Sequence, residues 1–113
     1  MVMLFKSKKA REYLLHNGIV YTLRSTKRKK LGRDWITDKR GNTRICNVDI
    51  DLVGSIDNKG IFKLVIYVPF SGFSSLKEWI MEVSKINNGL RYPLYLYNCL
   101  LYTSDAADEG LGV

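Results

Sequence analysis

Apolar positions along this chain repeat in two ways, with a helical period near 3.6 in some stretches and in strict alternation in others, and each way predicts an element. Residues 1–5 form a short apolar run that suits a buried strand. Ser7 opens a helix over residues 8–17, where Ala10, Tyr13 and Leu14 share a face, and Asn17-Gly18 closes it because glycine takes the left-handed cap without steric cost. Residues 19–25, rich in β-branched and aromatic side chains, predict a strand. A basic loop over residues 26–33 leads to two strands, 35–37 and 43–55, joined by the turn Asp38-Lys39-Arg40-Gly41-Asn42. In the second strand Val48, Ile50 and Leu52 alternate with Asn47, Asp49 and Asp51, and the change of phase between Ile45 and Val48 suits a bulge. After the turn at residues 57–60, residues 61–68 are apolar enough for a central strand.

The best-marked helix starts at Ser75, since Ser75-Leu76-Lys77-Glu78 has the form of a capping box in which each side chain satisfies the other residue's backbone N–H. Leu76, Trp79, Ile80, Val83 and Ile86 share one face, and Asn87-Asn88-Gly89 ends the helix. Residues 93–98 predict a closing strand, with Leu94 and Leu96 on one side and Tyr95 and Tyr97 on the other. The order β-α-β-β-β-β-α-β, with most strands consecutive, favours an α+β fold. A small curled mixed sheet or barrel with two flanking helices fits it better than a parallel α/β sheet.

Composition narrows the class. At 113 residues the chain has material for one domain and one modest core, and 46% hydrophobic with 26% charged residues excludes whole-chain disorder. No apolar run approaches the roughly 18–20 residues of a membrane span, and residues 1–5 are too short for a signal peptide, so no membrane partner and a cytoplasmic location are expected. Cys46 and Cys99 lack metal-ligand spacing and the lone His16 cannot complete a zinc site with them. Neither a metal nor a disulfide framework is expected. The glycines lack the spacing of a phosphate-binding loop, and no cofactor is expected either.

From Cys99 onward the sequence Cys-Leu-Leu-Tyr-Thr-Ser-Asp-Ala-Ala-Asp-Glu resembles the translation of a transposase-based sequencing-library adapter. The expected domain is therefore residues 1–98, with residues 99–113 as a non-native tail. That tail holds Asp105, Asp108 and Glu109 and no base, so the net charge of +7 for the whole chain becomes +10 for residues 1–98.

The charge is polarised. Of 18 basic residues, 13 lie in residues 1–48 against only Glu12, Asp34 and Asp38. Lys27, Arg28, Lys29, Lys30, Arg33, Lys39, Arg40 and Arg44 would set a positive field on neighbouring loops and strand ends, as a polyphosphate partner requires; a solvated charged face is the alternative. Trp35 and Tyr21 lie among these bases and either stack on unpaired nucleobases or pack in the core. Arg24 either grips a phosphate or base edge through its planar fork or pairs with Asp49 or Asp51. His16 reads as a helix-dipole partner and Cys46 as a small core residue. Phe70, Phe73 and Trp79 read as core under the late helix, with Phe70-Ser71-Gly72 placed for a pocket rim.

Three stretches together resemble a known family. Leu4-Phe5-Lys6, the helix ending at Gly18 and then Tyr21-Thr22-Leu23-Arg24 are similar to the early helix and Gly-x-Lys-Thr-x-x-x-Arg signature of the ASCH domains in the PUA-like superfamily. Leu31-Gly32-Arg33-Asp34 stands where that family has a Gly-Asp pair, and Gly72-Phe73-Ser74-Ser75 with the helix to Ile86 resembles its late Gly-Phe-x-Ser helix. The resemblance implies a small PUA-like mixed β-barrel and favours RNA as the partner; the charge and aromatic pattern itself puts the basic residues on phosphates, Tyr21 and Trp35 on bases and Thr22 in a hydrogen bond. Some members are amidohydrolases on a modified nucleoside, which implies a lysine, a threonine and a glutamate. Here Thr22 aligns but Tyr21 stands in the lysine position, and a threonine hydroxyl without a neighbouring base is a weak nucleophile. RNA or nucleotide binding is therefore the expected function. The alternatives are an RNA- or nucleoside-processing hydrolase centred on Thr22 and Arg24, and a basic module for an acidic protein.

Overall fold

A computed structural model describes residues 2–38 and 44–102. Five strands form one curled mixed sheet: β1 (Val2–Leu4), β2 (Ile19–Arg24), β3 (Gly32–Thr37), β4 (Cys46–Ile56) and β5 (Leu94–Tyr102). Helix α1 (Lys8–Asn17) lies between β1 and β2, and a 3₁₀ helix (Ile61–Phe70) and helix α2 (Leu76–Asn87) lie between β4 and β5. The strands run in the order β1-β3-β4-β5-β2, with β1 parallel to β3 and every other pair antiparallel. β1 and β2 are thus the two edges. The fold is α+β, as the order of elements predicts.

The helix ends follow from local chemistry. Ser7 Oγ accepts from the Ala10 N–H at the start of α1, and Gly18, at φ 79°, ends the helix by donating its N–H to the Leu14 carbonyl. Asn88, at φ 57°, closes α2 in the same way through Ser84. The capping box of α2 is half formed: Ser75 Oγ accepts from the Glu78 N–H, but the Glu78 carboxylate accepts from Ser74 N–H and Oγ–H instead of from Ser75. That places it within reach of Lys9 on α1, with which it forms an ion pair.

Side-chain alternation along the strands builds two cores. Met3, Phe5, Val20, Ile36, Val48, Ile50, Tyr97 and Cys99 gather on the concave face around Ala10 and Leu14 of α1. On the opposite face Leu23, Leu94 and Leu96 pack under Leu64 and Val68 of the 3₁₀ helix, Phe73, and Trp79 and Val83 of α2. Each fully buried apolar side chain contributes about 1.5–3 kcal/mol. A bulge lets one strand serve both faces. The register steps from Leu52↔Tyr97 to Gly54↔Leu96, leaving Val53 unpaired, so Leu52 packs on the first core and Ile56 on the second although both are even-numbered. Near residues 45–48, where a bulge is expected, Ile36 pairs with Cys46 and also accepts from the Ile45 N–H, so the step at Val53 is a further irregularity in the same strand.

Residues 61–68 are not a strand. They wind as the 3₁₀ helix, with Ile61, Leu64 and Tyr67 turned toward the second core at intervals of three, the period of that conformation. A nearly continuous apolar run carries no alternation to separate helix from strand, and β4 already has neighbours on both sides. Phe62, Val65 and Ile66 stay exposed. The turn at residues 39–43, with Lys39 and Arg40, lies outside the described residues.

The boundary expected after Asn98 falls inside β5. Cys99 is buried between Val20 and Ile50, its pairing partners on β2 and β4, Leu101 packs against the first core, and the Leu101 N–H donates to the Gly18 carbonyl at 2.8 Å. The rest of the tail, residues 103–113, lies outside the described residues. No helix among the described residues is long and apolar enough to cross a membrane. Shortening the chain to end at Asn98 instead of Tyr102 removes two inward apolar side chains and their ladder bonds, a loss of about 3 kcal/mol or more. Chemical denaturation of the two chains checks this; equal midpoints would contradict the role given to residues 99–102.

Candidate functional site

A sheet that curls without closing leaves backbone groups on its edge strands, and here arginines answer them at one edge. Arg24, at the end of β2, reaches across the gap and donates Nη1–H to the Leu4 carbonyl at 2.5 Å, with its guanidinium 4.8 Å from the centre of the Phe5 ring. Arg11 of α1 donates to the next two carbonyls, Phe5 at 2.8 Å and Lys6 at 3.3 Å. Neither Asp49 nor Asp51 pairs with Arg24, contrary to the ion-pair alternative. Its Nε–H is buried and has no partner among the described residues. Burial lowers the Arg24 pKa from 12.5 to about 10, which still leaves it a cation at neutral pH.

The gap opens into a cavity of 330 Å³. Leu4, Phe5, Lys6 and Ser7 form one side and Tyr21, Thr22, Leu23, Arg24 and Thr26 the other. Trp79, Glu82, Val83, Ile86 and Asn87 of α2 roof it, with Ser71 and Phe73 from the preceding loop. Gly72 explains how that loop fits. It sits at φ 90° against α1, and a Cβ there would stand 2.7 Å from the Lys9 carbonyl oxygen. Ser71 Oγ donates to the Val68 carbonyl and accepts from the Phe73 N–H, which fixes the loop's turn.

The residues singled out in the sequence divide between three places. Tyr21, Thr22 and Arg24 line the cavity; Thr22 is buried and Tyr21 is half-buried, its ring 4.9 Å from that of Tyr67 and 6.0 Å from that of Phe70. Lys27, Lys29 and Lys30 are exposed on the loop that begins beside Thr26, at the cavity wall. Arg28 differs from them. Its Nη2 pairs with Asp34 at 2.5 Å, Nε donates to the Lys30 carbonyl and its backbone N–H donates to the buried Tyr97 hydroxyl at 2.6 Å, so it holds the loop to the fold.

The third place is the outer face of β3. Arg33 lies over the Tyr102 ring at 4.3 Å, and Arg44 lies over the Trp35 ring at 5.2 Å while donating to Asn47. Trp35 is therefore stacked by an arginine, apart from the cavity. Lys39 and Arg40 lie outside the described residues. Phe73 and Trp79 are core residues, as read, but Phe70 is 43% exposed. The sequence reading missed Lys6, Ser7 and Glu82 as wall residues. Lys6 and Ser7 were legible as the approach to a capped helix, whereas Glu82 had no signal beyond its place one turn after Trp79.

Cys99 packs its sulfur 3.6 Å from that of Met3, and burial pushes its thiol up to about 12. Among the described residues no group of His, Cys, Asp and Glu side chains is placed to hold a metal ion. No protein-family model matches the chain, and neither a curated protein nor a solved structure matches it.

Two predictions follow the roof of the cavity. Gly72→Ala forces a left-handed alanine against the Lys9 backbone and is expected to cost about 2 kcal/mol or more in urea denaturation; an unchanged midpoint would contradict the close approach. Glu78, held down to about 2 by Lys9 and the Ser74 donors, stabilises the fold fully above its ordinary value of 4.5 and loses that contribution as pH falls toward 2. Glu78→Gln should flatten the acid-unfolding curve in that window. A parallel curve would show the carboxylate to be idle.

Proposed function

We propose that the chain is an RNA-binding module of the ASCH, PUA-like kind, acting in the cytoplasm, that holds single-stranded RNA by its exposed lysine loop and admits one unstacked nucleotide to the cavity. The observation that carries this reading is continuity: Thr26 lines the cavity and the next residue begins the run Lys27, Lys29, Lys30 on the surface. Exposed lysines release counterions from a phosphate backbone, and an aromatic-walled recess suits a base that has left its stack. The net charge of +7 supports a polyanion, and the resemblance to ASCH domains favours RNA over DNA.

Fluorescence anisotropy of the full chain with labelled single-stranded RNA, double-stranded RNA and single-stranded DNA, at about 50 to 200 mM salt, tests it. Single-stranded RNA should bind most tightly and weaken steeply with salt. Replacing Lys27, Lys29 and Lys30 together by alanine should make the log-log salt slope shallower by about 2. Failure to bind any of the three at the lowest salt would contradict the reading.

A second reading rests on Lys6 and Glu82, the amine and carboxylate that share the cavity with Thr22. A hydrolase would use one of them to activate the Thr22 hydroxyl against an acylated nucleoside. Deacylation of such a nucleoside, followed by chromatography and abolished in Thr22→Val with RNA binding intact, would establish it. No turnover by the unaltered chain would dismiss it.

A further inference from the structure

The walls of the cavity differ sharply in what they have left to offer. Ser7 spends its hydroxyl on capping α1, Ser71 on the loop, and Asn87 on the Val83 carbonyl and the Ser25 hydroxyl. Tyr21, Thr22, Arg24, Thr26, Lys6 and Glu82 remain, and Arg24, Thr22, Lys6 and Glu82 make no side-chain bond to one another. Arg24 is the least ordinary. A half-buried guanidinium with a buried, unused Nε–H and no carboxylate partner among the described residues is costly unless an anion completes it. The N-terminus of α1 reaches the cavity through Ser7 and Ala10, which adds the positive end of a ten-residue helix. Glu82 on the roof has the opposite character and can only accept while ionised. Tyr21, Phe73 and Trp79 supply aromatic surface in between, and the cavity's 330 Å³ lies in the range of about 300–1,000 Å³ common to small-ligand sites.

We infer that the cavity binds a nucleoside monophosphate unit end-on, with the phosphate on the Arg24 guanidinium and the α1 N-terminus and a base bearing an exocyclic amine donating to Glu82. This rests on the RNA-binding reading and adds which nucleotide enters and which way round. Guanine, cytosine and adenine each present an amine to a carboxylate. Uracil has no exocyclic amine, and its one donor on that edge, N3–H, lies between two carbonyl oxygens that Glu82 repels. Lys6, exposed at the mouth, meets the phosphate as a mobile charge, and Thr22 is placed to hydrogen-bond the ligand from β2.

Isothermal titration of the full chain with GMP, CMP, AMP, UMP, guanosine and inorganic phosphate tests this. GMP should bind about tenfold or more tightly than guanosine, and the three amine-bearing monophosphates about tenfold more tightly than UMP. Glu82→Gln, which can donate, should remove most of the discrimination against UMP while GMP still exceeds guanosine. Arg24→Lys should remove most of the advantage of GMP over guanosine. Glu82 is half-exposed, so its variant keeps the test decisive should the arginine variant fail to fold.

Guanosine binding as tightly as GMP, UMP binding as tightly as AMP, or no heat with any monophosphate at about 1 mM would each overturn the inference. RNA oligomers that bind in a salt-dependent way while monophosphates do not would overturn it and leave the RNA reading standing. Selective monophosphate binding with no oligomer binding would uphold it and end that reading.

Discussion

The reach of Arg24 across the open side of the sheet is the contact on which the rest of this molecule turns. A five-stranded sheet that curls around a helix must either close or leave two edges facing one another, and unpaired edges invite association. Here the edges β1 and β2 stay apart, and a side chain, not a ladder of backbone bonds, spans them. A guanidinium is long, planar and multiply donating, so one nitrogen can satisfy Leu4 while the residue also lines the cavity that the gap creates. The same feature that completes the fold at this point leaves a cationic donor buried and unused. In the function proposed, structure and recognition share one residue.

Packing on both faces of the sheet holds that gap open. The concave core fixes α1, and α1 in turn brings Ser7 and Arg11 to the trailing end of β1. The opposite core fixes α2, whose Trp79 face forms the roof. The bulge at Val53 lets β4 contribute to both cores, and the Lys9–Glu78 pair joins the two helices. Gly72 sets how closely the roof's loop approaches α1, since any side chain there meets the Lys9 backbone. The cavity is thus a consequence of two cores meeting at an unclosed seam.

Much of the frame was legible along the chain, because capped helices carry their own punctuation. Ser7 with Gly18 and Ser75 with Asn88 mark α1 and α2 by hydrogen bonds between near neighbours, and β2 and β5 show in their side-chain types and alternation. Residues 61–68 were not legible as helix, since an unbroken apolar run satisfies either period and only the packing at Ile61, Leu64 and Tyr67 decides. The site was legible in part. Thr22 and Arg24 were singled out and share a cavity, but Glu82 reaches them from 58 residues beyond Arg24 through the docking of α2, which no local pattern encodes. Arg28 looked like its neighbours in the basic run, and only the loop's path to Asp34 and Tyr97 separates it from Lys27, Lys29 and Lys30.

The central claim is that the half-buried Arg24 guanidinium is a ligand donor as well as a brace, and its Nε–H proton reports on the guanidinium's surroundings. Nuclear magnetic resonance of the arginine Nε–H groups of the full chain, recorded as single-stranded RNA is added, follows that proton. The account predicts that the Arg24 signal shifts and becomes protected from exchange as binding saturates, while that of Arg28, tied to Asp34 in the free protein, stays in place. An Arg24 signal unmoved at saturation, with shifts confined to the lysine loop or the outer face of β3, would contradict it.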